Sequence, residues 1–215
     1  MASYEQVIQV ICENCYRTFI NPFRIYTVTN VDYKSNLLDK LLTDNLNKAT
    51  CPKCGAVFTY ERPHLAYSLS KGYAVYSACN QDLHSKLSGR HRLYDMMSYT
   101  NMRYRLVDYI FEVAEKVRIF ELGMDDISIE KVKHVHFGSE YFADKRKNVL
   151  LFKGTENDNM IFEYADFLGK VLETRKIPIT EYPAVNPSHE PDAYENGFVV
   201  WTKIDNNYIK EILNG

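Results

Sequence analysis

The chain has 215 residues and a mass of 25.1 kDa, with 46% hydrophobic residues, 25% charged residues and a formal net charge of −2 at pH 7. This composition is typical of a folded globular protein, and the length allows one domain with an appendage or two small domains. The near-neutral charge excludes a protein that is strongly basic over its whole length, as many binders of nucleic acid or membrane surfaces are.

The sequence contains no run of about 18 apolar residues, and its first residues lack the basic and long apolar segments of a secretory signal. We therefore expect a cytoplasmic protein that does not associate with membranes. In a reducing compartment, cysteines are more often thiolate ligands of a metal than partners in disulfides.

Two cysteine pairs of the form C-x-x-C stand out in the first quarter of the chain, "CENC" at Cys12 and Cys15 and "CPKC" at Cys51 and Cys54. This spacing lets one tight turn direct two sulfurs to the same point, and two such turns complete the four-thiolate shell of a structural zinc site. Gly55 suits the second turn, because the residue after such a pair often needs a positive φ. We predict one structural Zn²⁺ bound by the four cysteines.

Two other interpretations of the cysteines are open, a redox pair and a different metal. A redox C-x-x-C normally begins a helix of a thioredoxin-like unit, and neither pair does so here. A catalytic zinc keeps one open coordination position, whereas four thiolates close the shell. Cys79, within "YAVYSACN", is expected to be an ordinary core residue.

The 35 residues between Cys15 and Cys51 are predicted to form structure of their own. "FRIYTVTNV" reads as a strand and "SNLLDKLLTDNL" as a short helix that Ser35 or Asn36 can cap. The predicted apolar face of this helix consists of Leu37, Leu38, Leu41 and Leu42.

A β-hairpin is predicted after the second cysteine pair. "HLAYSLSKGYAVYSA" alternates apolar and polar residues on both sides of "SKG", with Gly72 in the turn and Leu65, Tyr67 and Leu69 on one side of a strand. We therefore predict that residues 1–90 form a small antiparallel β domain, resembling a zinc ribbon and held together by zinc.

The strongest helix pattern is "DYIFEVAEKVRIFELG", within a predicted helical connecting segment at residues 91–133. Asp108 is the predicted N-cap, Glu112 and Lys116 a surface ion pair, and Gly123 the end. The predicted buried face consists of Ile110, Val113, Ala114, Val117 and Phe120.

"MDDISIEKVKH" predicts a second helix directly afterwards, capped by Asp125 or Asp126. The two adjacent aspartates can also be interpreted as a metal or acid site. Caps are the commoner role of such a pair at a helix start.

These motifs together resemble the CpXC family of bacterial proteins. The resemblance rests on "ICENC", on "CPKCG" with a proline-containing hairpin after it, and on "LVDYIFEVAEKVRIFELGMDDISIEKVK", and it covers about residues 8–133. The first pair departs from the pattern, because "CENC" has no proline after its first cysteine. The resemblance implies a zinc-binding region and no particular reaction.

Residues 134–215 are predicted to form a second α+β subdomain, so the fold class of the chain is α+β. The predicted elements are strands in "HVHFGSEYF", "NVLLFKG" and "NMIFEYA", a helix in "YADFLGKVLETRK", an irregular loop in "IPITEYPAVNPSHEPD", a strand in "GFVVWTKI" and a terminal helix capped by Asp205.

Three functions are open, and the leading one is a non-enzymatic binding or adaptor protein whose partner is another protein or a second copy. The first alternative is a hydrolase-like or nuclease-like enzyme with its site at His134, His136 and Glu140, because alternate residues of a strand point to one side. No phosphate-binding loop, nucleophile elbow or HExxH motif supports it.

The second alternative is a module that binds single-stranded nucleic acid. Aromatic and basic residues alternate in the first half of the chain, and exposed aromatic rings between cations stack on bases. The candidates are Tyr60, Tyr67, Tyr73, Tyr76, Tyr94, Tyr99, Tyr104, Arg62, Lys71, Arg90, Arg92, Arg103 and Arg105. Tyrosines also fill half-buried strand positions well, which is the competing interpretation.

Overall fold

A computed structural model describes residues 3–12, 14–33, 36–59, 62–78, 102–142, 148–166, 170–183, 190–191, 194–195 and 198–214. The strands are β1 Ser3–Ile11, β2 Thr18–Tyr26, β3 Val28–Asn30, β4 Lys48–Thr50, β5 Val57–Thr59, β6 His64–Ser68, β7 Tyr73–Ser77, β8 Arg103–Val107, β9 Asn148–Glu156, β10 Asn159–Asp166, β11 Val171–Pro178, β12 Tyr194–Glu195 and β13 Phe198–Val199. The helices are α1 Asn36–Leu42, α2 Ile110–Glu121, α3 Asp126–His136 and α4 Asn206–Asn214, with 3₁₀ turns at Ser139–Phe142 and Ile179–Glu181. The predicted α+β class is confirmed.

The strands form a four-stranded sheet in the order β3-β6-β7-β8, a three-stranded sheet in the order β11-β10-β9, and the two-stranded sheets β1-β2, β4-β5 and β12-β13. The four-stranded sheet is mixed, because β3 runs parallel to β6 and β8 parallel to β7. It is therefore not the purely antiparallel sheet that the sequence predicts. The hairpin of β6 and β7 is confirmed, with Gly72 in its turn at φ +65°.

Helix α2 lies between the two larger sheets and contacts β6 and β7 on one side and β9 on the other. Its predicted apolar face is buried throughout, from Ile110 to Phe120. One hydrophobic cluster joins Val31, Val117 and Phe152, which come from the three predicted segments. Tertiary contacts thus cross both predicted boundaries, while the division into 1–90, 91–133 and 134–215 stays a prediction.

The short helix α1 is confirmed, with Leu37 and Leu41 buried and Leu38 and Leu42 packed against the same cluster. Asn36 is its first residue and not its cap, and Ser35 lies outside the described residues. The strand predicted before it is interrupted, since β2 ends at Tyr26 and β3 begins at Val28 with β6 as its new partner.

The capping predictions have different outcomes. Asp125 caps α3 by accepting a hydrogen bond from the Ser128 N–H at 2.8 Å, and Asp205 caps α4 by accepting from two N–H groups of its first turn. Asp108 does not cap α2, because its carboxylate pairs with Lys203 at 2.6 Å. The N-cap residue of α2 is Tyr109.

At the start of α2, Glu112 Oε2 accepts hydrogen bonds from the N–H groups of Asp108 and Tyr109 at 2.9 and 3.1 Å. Glu112 is therefore turned toward the helix start and does not form the predicted surface pair with Lys116. The Lys116 ammonium is instead buried, with Asp126 and Glu130 as its partners.

Two predicted elements of the C-terminal half are wrong. "HVHFGSEYF" is the last turn of α3 followed by a 3₁₀ turn, because α3 continues through His136. "YADFLGKVLETRK" contains the end of β10 and most of β11, since residues 171–178 hydrogen-bond along β10. In both stretches the spacing of apolar residues fits a helix as well as a strand, and contacts with neighbouring elements decide between the two.

Three further predictions in this half have partial outcomes. "GFVVWTKI" is extended only as β13 and at Thr202, which bridges to Arg105. In the predicted loop, β11 continues to Pro178 and a 3₁₀ turn follows, while residues 184–189 lie outside the described part. Among the described residues, no helix is long and apolar enough to cross a membrane.

A buried histidine connects β6 to the chain around β2 and β3. The His64 ring donates from Nδ1 to the Tyr26 carbonyl at 3.0 Å, so its Nε2, 3.1 Å from the Thr29 hydroxyl, accepts from that hydroxyl. Burial lowers the pKa of His64 to about 4, although the hydrogen bond to Tyr26 favours the charged ring. The folded protein thus holds this ring neutral.

This burial predicts a loss of stability in mild acid. The unfolded chain binds a proton at His64 below about pH 6.5, and the folded chain does so only below about pH 4. The free energy of unfolding therefore decreases as the pH is lowered from 6.5 to 4, by about 3 kcal/mol in total. We expect His64→Gln to remove this part of the pH dependence in urea unfolding. An unchanged slope in His64→Gln would contradict the prediction.

Candidate metal centre

The structure brings the four predicted cysteines together. The Sγ atoms of Cys12, Cys15, Cys51 and Cys54 all lie within 4.8 Å of one another, with Cys12 3.5 Å from Cys54 and Cys15 3.8 Å from Cys51. Zn–S bonds of about 2.3 Å separate the sulfurs of a tetrahedron by about 3.8 Å. The cluster therefore has the dimensions of a four-thiolate metal site.

Each cysteine pair forms the turn of a two-stranded hairpin, the first between β1 and β2 and the second between β4 and β5. In each turn the N–H of the first cysteine donates to the carbonyl five residues later, and the N–H four residues later donates back to the carbonyl of that cysteine. The N···O distances are 3.0 and 2.7 Å in the first turn and 2.8 and 2.9 Å in the second. The two turns share one hydrogen-bonding pattern, so the cluster is assembled from two equivalent halves.

The equivalent residues Tyr16 and Gly55 both have positive φ, +54° and +74°. This left-handed conformation strains residues that have a Cβ and costs glycine little. We expect Gly55→Ala to destabilise the cysteine unit, the hairpins β1-β2 and β4-β5 together, by about 1 kcal/mol, although nothing lies within 4 Å of the added Cβ. Tyr16→Gly, at an exposed position, should have the opposite sign. Urea unfolding of the metal-loaded protein measures both, and equal signs would contradict the argument.

Burial is uneven over the cluster, because Cys12 and Cys51 are buried, Cys15 is half-buried and Cys54 is exposed. Hydrogen bonds from the Asn14 amide and the Ala56 backbone lower the pKa of the Cys54 thiol to about 6. The backbone hydrogen bond with Arg17 lowers the pKa of Cys15, but desolvation and the other three sulfurs outweigh it and raise this pKa to about 12.

Thiolates this close disfavour one another because their charges are alike. Four thiolates in this volume need a cation at their centre, and a coordinated thiol gives up its proton completely. The donor set contains only sulfur and fits a soft or borderline ion such as Zn²⁺. Bound there, such an ion supplies cross-linking of the two hairpins.

The candidate enzyme residues do not form a second cluster of this kind. His134 Nδ1 lies 2.8 Å from the Asn206 amide oxygen, and His136 Nε2 lies 3.8 Å from Glu181. Glu140 lies on the 3₁₀ turn after α3. Within the described part of the chain, only the four cysteines form a group of three or more Cys, His, Asp or Glu side chains with the spacing of a metal site.

Three of the proposed stacking residues lie in the interior, while Arg62, Tyr67, Tyr76 and Arg103 are half-buried and Lys71 is exposed. Tyr73, Tyr104 and Arg105 are buried, and the Arg103 guanidinium lies 4.3 Å from the centre of the Phe120 ring. The three buried side chains are therefore not available to bases. The other candidates, Tyr60, Tyr94, Tyr99, Arg90 and Arg92, lie outside the described residues. Cys79 also lies outside them.

A buried network of charges is the feature that sequence reasoning missed. Asp126, fully buried, accepts from the Arg105 guanidinium at 3.0 to 3.2 Å and pairs with the Lys116 ammonium at 3.0 Å. Lys133 pairs with Glu115 at 2.6 Å and with Glu130 at 3.0 Å. The sequence analysis predicted a pair of Lys116 with Glu112, and no signal in the sequence shows that both helices are covered on that side.

The network holds Asp126 and Lys116 charged. Burial alone would raise the pKa of Asp126, but Lys116 and Arg105 hold it well below its usual value. Burial likewise opposes the charge on Lys116, whereas Asp126 and Glu130 raise its pKa. The adjoining cavity has a volume of about 40 Å³, which admits water and no substrate of ordinary size. The arrangement fits a structural role.

Comparison with known proteins gives one match. The family model described as CpXC protein matches residues 10–133, more than half of the chain. No curated protein and no solved structure matches. The matched segment contains all four clustered cysteines together with α2 and most of α3. The chain therefore belongs to the CpXC family.

Proposed function

We propose that the protein binds one structural zinc ion through Cys12, Cys15, Cys51 and Cys54 and serves as a non-enzymatic interaction module. The observation that carries the proposal is the closed set of four sulfurs within 4.8 Å. A complete thiolate shell has no position for water or substrate, so the ion contributes folding energy and no Lewis-acid chemistry.

The surroundings of the site support a structural ion. The β1-β2 and β4-β5 hairpins have two strands each, and a two-stranded sheet is at best marginally stable by itself. A metal at the joint of the two turns fixes their relative position. Membership of the CpXC family is consistent with this function.

Elemental analysis of the purified protein tests the metal. We expect one zinc per chain, and replacement of that zinc by Co²⁺ should give the intense visible absorption of a tetrahedral thiolate complex. A weak spectrum typical of five or six ligands would indicate an open site and favour catalysis. Absence of any metal, together with reversible thiol oxidation, would favour redox chemistry at the cysteines.

A further inference from the structure

Strand β1 presents one open edge. It pairs with β2 over nine residues, from Ser3 opposite Tyr26 to Ile11 opposite Thr18, and among the described residues neither strand has a third partner. The outer edge of β1 therefore offers unpaired backbone N–H and C=O groups, which are a template for another strand.

The two edges of this hairpin differ in composition. β2 contains Pro22 and Arg24, residue types that hinder pairing at an edge. Residues 7–11 of β1 read "VIQVI" and contain no charge, proline or glycine. The β1 edge is thus the one open to strand addition.

Apolar side chains are exposed on one face of the same hairpin. Val7 is 69% exposed and Ile11 65%, and their spacing of four residues places them on one face of β1. Ile20, 72% exposed, lies opposite Gln9, between them on the same face. Exposed aliphatic side chains grouped beside an open edge indicate a contact surface.

The residue pattern identifies the partner as a second copy of this chain. "VIQVI" has the same order of apolar and polar residues in both directions, with Gln9 at its centre. In an antiparallel pair centred there, Val7 lies opposite Ile11 of the second copy and Gln9 opposite Gln9 of the second copy. An isologous dimer requires this kind of self-complementary surface.

We propose that two copies associate through antiparallel pairing of their β1 strands, which creates a four-stranded sheet in the order β2-β1-β1-β2 across the two-fold axis. The apolar residues then meet apolar residues, and the two Gln9 amides hydrogen-bond to each other at the centre. A sheet of four strands is more stable than a two-stranded hairpin, which is at best marginally stable by itself. The dimer requires folded hairpins but no particular metal.

Introducing a charge at position 9 tests the dimer. Gln9 is exposed, so Gln9→Lys and Gln9→Glu should leave the fold intact while they place two like charges opposite each other on the axis. We expect the wild-type, metal-loaded chain to sediment as a dimer, and each variant to raise the dimer Kd about tenfold or more. An equimolar mixture of the two variants should form a heterodimer.

The control is Thr18→Lys, which places the same charge at an exposed position of β2, outside the seam. Its dimer should match the wild type, and metal content and circular dichroism should be the same for all variants. A monomeric wild type, charge variants that dimerise as the wild type does, or a mixture without heterodimers would each overturn the proposal.

Discussion

Double replacement of Cys51 and Cys54 by serine is expected to abolish metal binding and unfold the cysteine unit, defined as the hairpins β1-β2 and β4-β5. The change removes two of the four sulfurs, and serine hydroxyls do not replace thiolates as ligands of zinc. Structural zinc sites of this kind contribute on the order of 10 kcal/mol, which is comparable to the whole stability of a domain.

The structure shows why this loss is not absorbed locally. The hairpins contribute few residues to the main hydrophobic cluster, and Val7, Ile11 and Ile20 are exposed on the first of them. Without the metal, the four thiols and the hydrogen bond from Asn14 to Cys54 remain as contacts between the two turns. The backbone amides of both hairpins should therefore lose their protection from hydrogen exchange.

The matched control is Lys53→Ser, which changes an exposed residue of the same turn and leaves all four sulfurs in place. It should bind one metal per chain and keep the protection of the parent protein. A cysteine double variant that retains both metal and protection would show that the cluster is not the ligand set. A double variant that loses the metal and remains folded would make the ion dispensable for stability.

The outcome at the cysteines shows what local spacing can predict. A C-x-x-C pair determines a turn from four consecutive residues, so the two turns and their equivalence follow from the sequence. That the turns meet depends on the 35-residue insert, whose helix α1 packs against the main core through Leu37 and Leu41. We predicted that the two turns lie together from the chemistry of zinc, because four thiolates complete the coordination shell of one ion.

The errors occurred where one stretch fits two periods or where a helix is covered on more than one side. The apolar stripe of α2 was predicted correctly, but Glu112 and Lys116 were placed on a solvent-exposed face. The structure instead places β9 and α3 against α2. Periodicity identifies the most apolar face of a helix and not what covers the rest.

Replacement of Asp126 by asparagine is expected to be the most destabilising single change in the buried network. The carboxylate is fully buried and bonded to Arg105 and Lys116. An asparagine amide directs a donor group toward these cations, which then keep only their other carboxylate partners, Glu190 for Arg105 and Glu130 for Lys116. Breaking a buried pair in this way costs about 3 to 5 kcal/mol, equivalent to a decrease in Tm of roughly 6 to 20 °C for a chain of this size.

The neighbouring residue provides a matched control, since Asp125→Asn is the same chemical change one position earlier. Asp125 caps α3 through the Ser128 N–H, and asparagine caps helices about as well as aspartate. Its cost should stay below about 1 kcal/mol, from weaker interaction with the helix dipole. Thermal unfolding of the two metal-loaded variants measures the difference, and equal Tm values would show that the Asp126 pairs do not stabilise the fold.

The pH dependence separates the charge of Asp126 from its shape. Its folded pKa lies far below the unfolded value of 3.8, so the stabilisation is present above that pH and is lost as the pH falls further. We expect Asp126→Asn to converge with the parent protein in acid, because the parent then also loses this charge. A difference in Tm that stays constant between pH 7 and the acid limit would instead show that the charge of Asp126 is not the source of the cost.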